Sequence, residues 1–193
     1  MKTLLLVVDA QKIYTDANSE MYCDDANLTI LNINRLIEKF ETEKYPTVFI
    51  RHIHKKDGSD LGRMFDFSGE PEDDFNFKVG TDEIEYDNNL IIPENAIHIV
   101  KTRYSSFIGT QLDSLLKKYN VEKIVICGFM TNFCCESTAR DAHDLDYFVD
   151  FIIDATGTPG TENYNQDKMR NIITELLSEG FAVVMKLDDY LNK

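Results

Sequence analysis

The sequence predicts an α/β protein: a doubly wound parallel sheet with helices on both faces, Rossmann-like, in a single domain spanning residues 1–193. Three observations lead there. Short, continuously apolar runs of strand length alternate with longer stretches whose apolar residues recur every three or four positions. The connections are long enough for parallel crossovers, which need a dozen residues or more. An apolar fraction of 43% with only four prolines supplies one substantial core.

Leu4 to Val8 is an unbroken apolar run that ends at Asp9, the pattern of a strand buried on both faces. Ile30, Ile33, Ile37 and Phe40 follow at helical spacing after the acidic start Asp24-Asp25, and Thr47 to Ile50 is a second strand. A short strand, Ile97 to Val100, precedes Lys101. The stripe Ile108, Leu112, Leu115, Leu116 and Tyr119 predicts a helix, followed by the strand Lys123 to Cys127 with its Gly128 and a helix opening near Thr131. Phe148 to Ile153 is a strand ending at Asp154, Met169 to Leu177 a further helix, and Gly180 to Met185 a helix stop and last strand.

His54 to Ala96 breaks this rhythm. It has little periodicity, contains Gly58, Gly62, Gly69, Pro71, Gly80 and Pro93, and holds twelve Asp or Glu against four Lys or Arg. Such an excursion, taken as residues 54–96, is either a lid over a site or a solvated acidic surface.

The formal net charge of -14 disfavours nucleic acid and anionic membranes as partners, since both would repel the chain at long range. No apolar run reaches the roughly 18 to 20 residues of a membrane span, and Met1 to Ala10 has no small-residue cleavage site, so a cytoplasmic protein is expected. Cys23, Cys127, Cys134 and Cys135 form no CxxC pair and no zinc spacing, so reduced thiols are expected. No cofactor is called for.

In a parallel sheet, ligands bind at the carboxyl ends of the strands. Asp9, Lys101 and Cys134 each follow a predicted strand and fall on that edge. Cys134 sits where a helix N-terminus would favour thiolate, although a cysteine there is more often packing. Asp9 ends an apolar run, where desolvation raises a carboxyl toward the range of a proton shuttle, although such an Asp can also simply cap a loop. Lys101 could hold Asp9 ionised, or be a surface charge.

The blocks around these residues resemble those of isochorismatase-like cysteine hydrolases. The stretch Lys101 to Phe107, then Gly109-Thr110, Gly128 to Cys134, and Ser137 to Ala142 are similar to the family's signature blocks in the family's order. Asp9-Ala10-Gln11 with Tyr14 resembles its opening block and Asp154-Ala155-Thr156 its late one. The resemblance covers nearly the whole chain and is silent only over the excursion. It implies a catalytic triad of Asp9 as acid/base, Lys101 as its partner and Cys134 as nucleophile, with Cys135 packing behind.

The same resemblance implies a cis peptide between Phe129 and Met130 that aims the N–H groups of Met130 and Cys134 at one point, an oxyanion hole. It places Gln11, Tyr14, Phe129 and Phe133 at the substrate, makes a small molecule the partner, and implies a homo-oligomer. The nicotinamidase branch holds a metal through an Asp-x-His pair, and here no Asp precedes His52 and His54 in that pattern, with His98 and His143 placed elsewhere. His52 and His54 lie two apart after the second strand and are expected at a polar rim, and no metal is expected. A late family His is replaced by the run Asp167-Lys168-Met169-Arg170. The activity implied is hydrolysis of a C–N bond in a small amide, carbamoyl or ureido compound. The alternatives are hydrolysis of a non-amide substrate, as in isochorismatase proper, and a non-catalytic member that binds a small molecule or partner.

Overall fold

In the computed structural model, which describes residues 1–66, 68–69 and 74–193, six strands pair in parallel. They are β1 (Thr3–Val8), β2 (Thr47–His52), β3 (Ile97–Lys101), β4 (Lys123–Phe129), β5 (Phe148–Gly157) and β6 (Val183–Met185), in the order β3-β2-β1-β4-β5-β6. The chain winds outward from β1 to β3, then starts again beside β1 at β4 and winds the other way. This reversal opens a crevice between the carboxyl ends of β1 and β4, the usual ligand position in such sheets.

The alternation of side chains along β1 divides the core. Leu5 and Val7 point to one face, where they join Ile30, Ile33, Leu36, Ile37 and Phe40 of α2 (Ala26–Glu43). Leu4, Leu6 and Val8 point to the other, toward α3 (Leu112–Lys118), α4 (Glu136–Asp144) and α5 (Gln166–Ser178). Both faces of β1 are dry, so its sequence is apolar without interruption. Full burial of each such side chain contributes about 1.5 to 3 kcal/mol.

Several boundaries differ from the sequence reading. The helix expected from Ile108 begins only at Leu112. Gly109 takes a positive φ of 71°, and the Thr110 hydroxyl donates to the Ser106 carbonyl while accepting the Leu112 N–H, which holds the preceding residues in turns. β5 runs past Asp154 to Gly157, because Asp154 is spent inside the strand: its carboxylate accepts the N–H of Leu187 at the start of α6 (Leu187–Leu191). That last helix, and the single turn α1 (Lys12–Thr15), are too short to show a period in the sequence.

The excursion is folded against the carboxyl edge. His54 pairs with the returning chain through Phe77 O (2.7 Å) and Val79 N (2.9 Å), and Phe77, Ile84 and Leu90 enter the core on the α2 face. Lys12 N donates to Glu85 O and Asp87 N to Ala10 O, so the segment is stitched to the residues that follow β1. Pro71, one of the breakers named above, lies outside the described residues. Among the described residues, no helix is long and apolar enough to cross a membrane.

Gly128 is the one position where the β1–β4 crevice forbids a side chain. Its φ is +122°, its pairing with β5 shifts register, and a methyl group built there would run into the Val8 backbone. Gly128→Ala is therefore expected to cost about 3 kcal/mol or more, read from urea unfolding. A loss under about 1 kcal/mol would contradict this tight approach.

Candidate active site

Asp9 leaves β1 with a φ of 47°, in the left-handed region that Asp tolerates better than most residues. Its N–H donates to Ile50 O of β2 (3.1 Å), which keeps the backbone on the sheet edge while the carboxylate is fully buried. Lys101 ends β3, two strands away, a separation of about 9 to 10 Å. Its long stem crosses the end of β2, and Nζ lies 2.8 Å from Asp9 Oδ2, with neither side chain exposed.

The same ammonium lies 3.2 Å from Cys134 Sγ and donates to Arg103 O at 2.9 Å. An ammonium has three protons, and here each has an acceptor. The carboxylate, ammonium and thiol that the sequence reading grouped are thus brought to one point at the switch of strand order.

Burial sets the electrostatics. It raises the Asp9 carboxyl above its ordinary value, against the pull of the Lys101 charge. Burial alone would lower Lys101, but Asp9 and Cys134 beside it outweigh that and leave it raised. The Cys134 thiol is pushed up to about 12, by burial first, with Lys101 opposing and Asp9 adding to the rise. A helix N-terminus was expected to favour thiolate at this position, whereas burial works the other way.

The local geometry also differs from the expectation. Cys134 does not lie in the first turn of a regular helix; it sits in a π-helical turn, Thr131–Cys135, with α4 beginning only at Glu136. Met130 O accepts from both Phe133 N (3.2 Å) and Cys135 N (3.1 Å), and the Thr131 hydroxyl is tied to Thr156 of β5. The Phe129–Met130 peptide is cis. Cys135 is buried in the core behind the sulfur of its neighbour.

A cavity of about 160 Å³ opens onto Cys134. Tyr14, Met130 and Phe133 line one side, and Met64, Phe65, Asn76 and Phe77 of the excursion close the other. The excursion therefore supplies a wall of this cavity. Larger hollows exist, one of about 680 Å³ around Tyr45 and Tyr119 at the amino edge of the sheet, but Asp9, Lys101 and Cys134 line none of them.

Two expected substrate residues are placed differently. Gln11 is fully buried and its amide is spent on backbone: Oε1 accepts His52 N (2.8 Å), and Nε2 donates to His52 O (3.1 Å) and Ile84 O (2.9 Å). It braces the end of β2 against the excursion and has nothing left for a ligand. Phe129 is also fully buried, stacked flat on Tyr14 with centroids 5.5 Å apart, and supports the cavity from beneath.

His52 and His54 are buried, not on a polar rim, and His52 lines the cavity beside Cys134. No local pattern signals this, because the residues that cover them, Phe65, Phe75 and Phe77, come from the aperiodic excursion. Donor atoms of Asp9, His52 and Cys134 lie within 4.8 Å of one another, close enough to suggest a metal. The donor set does not fit a resident cation, because Lys101 Nζ already contacts both Asp9 and Cys134, and a dication there would face an ammonium at close range.

An Asp, Lys and Cys buried together at the switch point of this sheet define a class, and the Isochorismatase domain model matches residues 3–189. The chain belongs to the isochorismatase family. The cysteine hydrolase from Pseudomonas syringae pv. phaseolicola 1448A has the same fold, with a TM-score of 0.90 at 25% identity over 99% of this chain and 91% of that one. Probable inactive nicotinamidase At3g16190 of Arabidopsis thaliana is 32% identical over 176 residues, 88% of this chain and 89% of that protein. Ureidoacrylate amidohydrolase RutB of Serratia proteamaculans (strain 568) is 41% identical over 96 residues, half of this chain but only 37% of the relative's length.

Lys101→Met keeps the length of the stem and strands a buried carboxylate. We expect a loss of about 3 to 5 kcal/mol in urea unfolding at neutral pH, with most of it recovered in Lys101→Met/Asp9→Asn. A single variant as stable as the parent would contradict the buried ion pair.

Proposed function

We propose that the protein is a cysteine hydrolase that cleaves the C–N bond of a small amide, carbamoyl or ureido compound through a thioester on Cys134. The observation that carries this reading is the Lys101 ammonium bridging Asp9 and the sulfur of Cys134, which lines a small cavity. A cavity of about 160 Å³ is well below the size of drug-binding pockets and suits a substrate of few atoms.

Asp9 takes the thiol proton as Cys134 Sγ attacks the carbonyl carbon, and Lys101 stabilises the negative charge that passes from oxygen to sulfur. The N–H groups of Met130 and Cys134 receive the oxyanion. When the intermediate collapses, the C–N bond breaks, the protonated Asp9 gives its proton to the leaving nitrogen, and the acyl group stays on sulfur. Asp9 then takes a proton from water, whose oxygen displaces the thiolate and releases the acid, and the proton passes from Asp9 back to sulfur. The high thiol pKa makes the base obligatory.

The partial match to a ureidoacrylate amidohydrolase supports a ureido or amide substrate. A second reading, a non-catalytic binder, draws support from the relative named as an inactive nicotinamidase. Against it stands the intact set of acid, cation and thiol. Ammonia or amine release from a panel of small amides, carbamates and ureides, ureidoacrylate included, separates the two. No release from any member, with the panel shown to bind, would favour the binder.

With a substrate in hand, Cys134→Ala should abolish turnover, Asp9→Asn should lose on the order of a hundredfold or more, and Cys135→Ala should keep most of its rate. An active Cys134→Ala would refute the nucleophile. The pH dependence follows from Asp9, which must be ionised to act and whose carboxyl burial raises. The ratio kcat/KM should therefore rise with pH through an apparent pKa above the ordinary 3.8 of Asp. An acid limb at or below that value would exclude Asp9 as the base.

A further inference from the structure

His52 and His54 meet at the end of β2 with their Nε2 atoms 2.9 Å apart. One proton alone can occupy that contact, so one ring donates and the other accepts. The far end of the chain decides which. His54 Nδ1 lies 3.4 Å from Asp60 Oδ1, and the Asp60 carboxylate is itself held by the Lys55 N–H at 3.1 Å to each oxygen.

A carboxylate this close to Nδ1 disfavours a lone pair there and favours a proton, so the proton of His54 belongs on Nδ1. His54 Nε2 is then a lone pair, and His52 must donate its Nε2–H to it. Both rings are neutral: burial lowers both below the ordinary histidine range, and Lys101 nearby disfavours a further positive charge. What His52 retains is a single hydrogen-bonding capacity, the lone pair on Nδ1. The ring is fixed by stacking on Phe77, with centroids 4.3 Å apart and planes within 13°, and it lines the cavity beside Cys134.

We propose that His52 is a specificity-determining residue that accepts an N–H of the substrate's amide or ureido nitrogen, with His54 and Asp60 as positioning residues that set its tautomer. The inference rests on the amidase reading above and deepens it. An acceptor in this place suits a nitrogen that carries hydrogen, which can donate while its carbonyl carbon faces Cys134. An ester oxygen has no proton to give and would set lone pair against lone pair, so the device selects amides and ureides over esters of the same acid.

Two measurements on the full chain test this. The first is ¹⁵N NMR of histidine-labelled protein, with His98→Gln and His143→Gln variants used to assign the other two rings. His52 should carry its proton on Nε2 and His54 on Nδ1, and the reverse pattern would overturn the inference whether or not a substrate is known. The second compares primary amides, acetamide through butyramide, with the methyl esters of the same acids.

In His52→Phe the amide-to-ester ratio of kcat/KM should fall by about tenfold or more. Asp60→Ala should lower the ratio in the same direction and leave His52 in a mixture of tautomers. A ratio unmoved in both variants would overturn the role of His52 while leaving the nucleophile intact. A parent that turns over neither amides nor esters would count against the amidase reading, and the NMR result would then decide the tautomer on its own.

Discussion

One ammonium group organises the chemistry of this molecule. Lys101 Nζ is wholly buried and spends its three protons on the Asp9 carboxylate, the Cys134 sulfur and the Arg103 carbonyl. Burying two opposite charges costs several kcal/mol per ion before their attraction is counted, so such a pair is weak support for stability taken alone. Its value lies in what it does to its neighbours. It opposes the desolvation that raises Asp9, and it is the nearby charge that opposes the rise burial imposes on the Cys134 thiol.

The sheet exists in the form this contact demands. Parallel strands deliver their carboxyl ends to one edge, and the reversal of strand order between β1 and β4 leaves room there for side chains from three strands to meet. Gly128 lets β4 approach β1 where a side chain would not fit, and the π turn that follows sets Cys134 over the ammonium. The excursion then covers the opening. Its contribution is apolar where it faces the cavity, through Met64, Phe65 and Phe77, and acidic mainly where it faces water.

How much of this was legible in the sequence follows from the range of the forces involved. The buried strands announced themselves, because a strand dry on both faces must be apolar at every position, as Leu4 to Val8 is. Asp9 and Lys101 stood out as charges closing such runs, although the contact between them spans two strands and was carried by family resemblance. Cys134 was located, but its state was not: the π turn depends on contacts to β5 through Thr131 and Thr156 that no local pattern encodes. Gln11 looked like a ligand residue because a polar side chain beside the strand-ending Asp9 invites that reading, whereas its amide serves the backbone of a distant segment. His52 and His54 were underestimated for the same reason, since their burial comes from an aperiodic segment whose fold is set by tertiary contacts.

The proposed reaction requires a covalent bond between substrate and one of four cysteines. Acid quenching during turnover of a small amide or ureide, followed by mass spectrometry of the intact chain and its peptides, looks for that bond directly. The prediction is an added acyl mass, without the leaving nitrogen, on the peptide that carries Cys134 and Cys135. It should persist in Cys135→Ala and vanish in Cys134→Ala. An acyl mass on Cys23 or Cys127, or turnover with no acylated protein at any quench time, would contradict it.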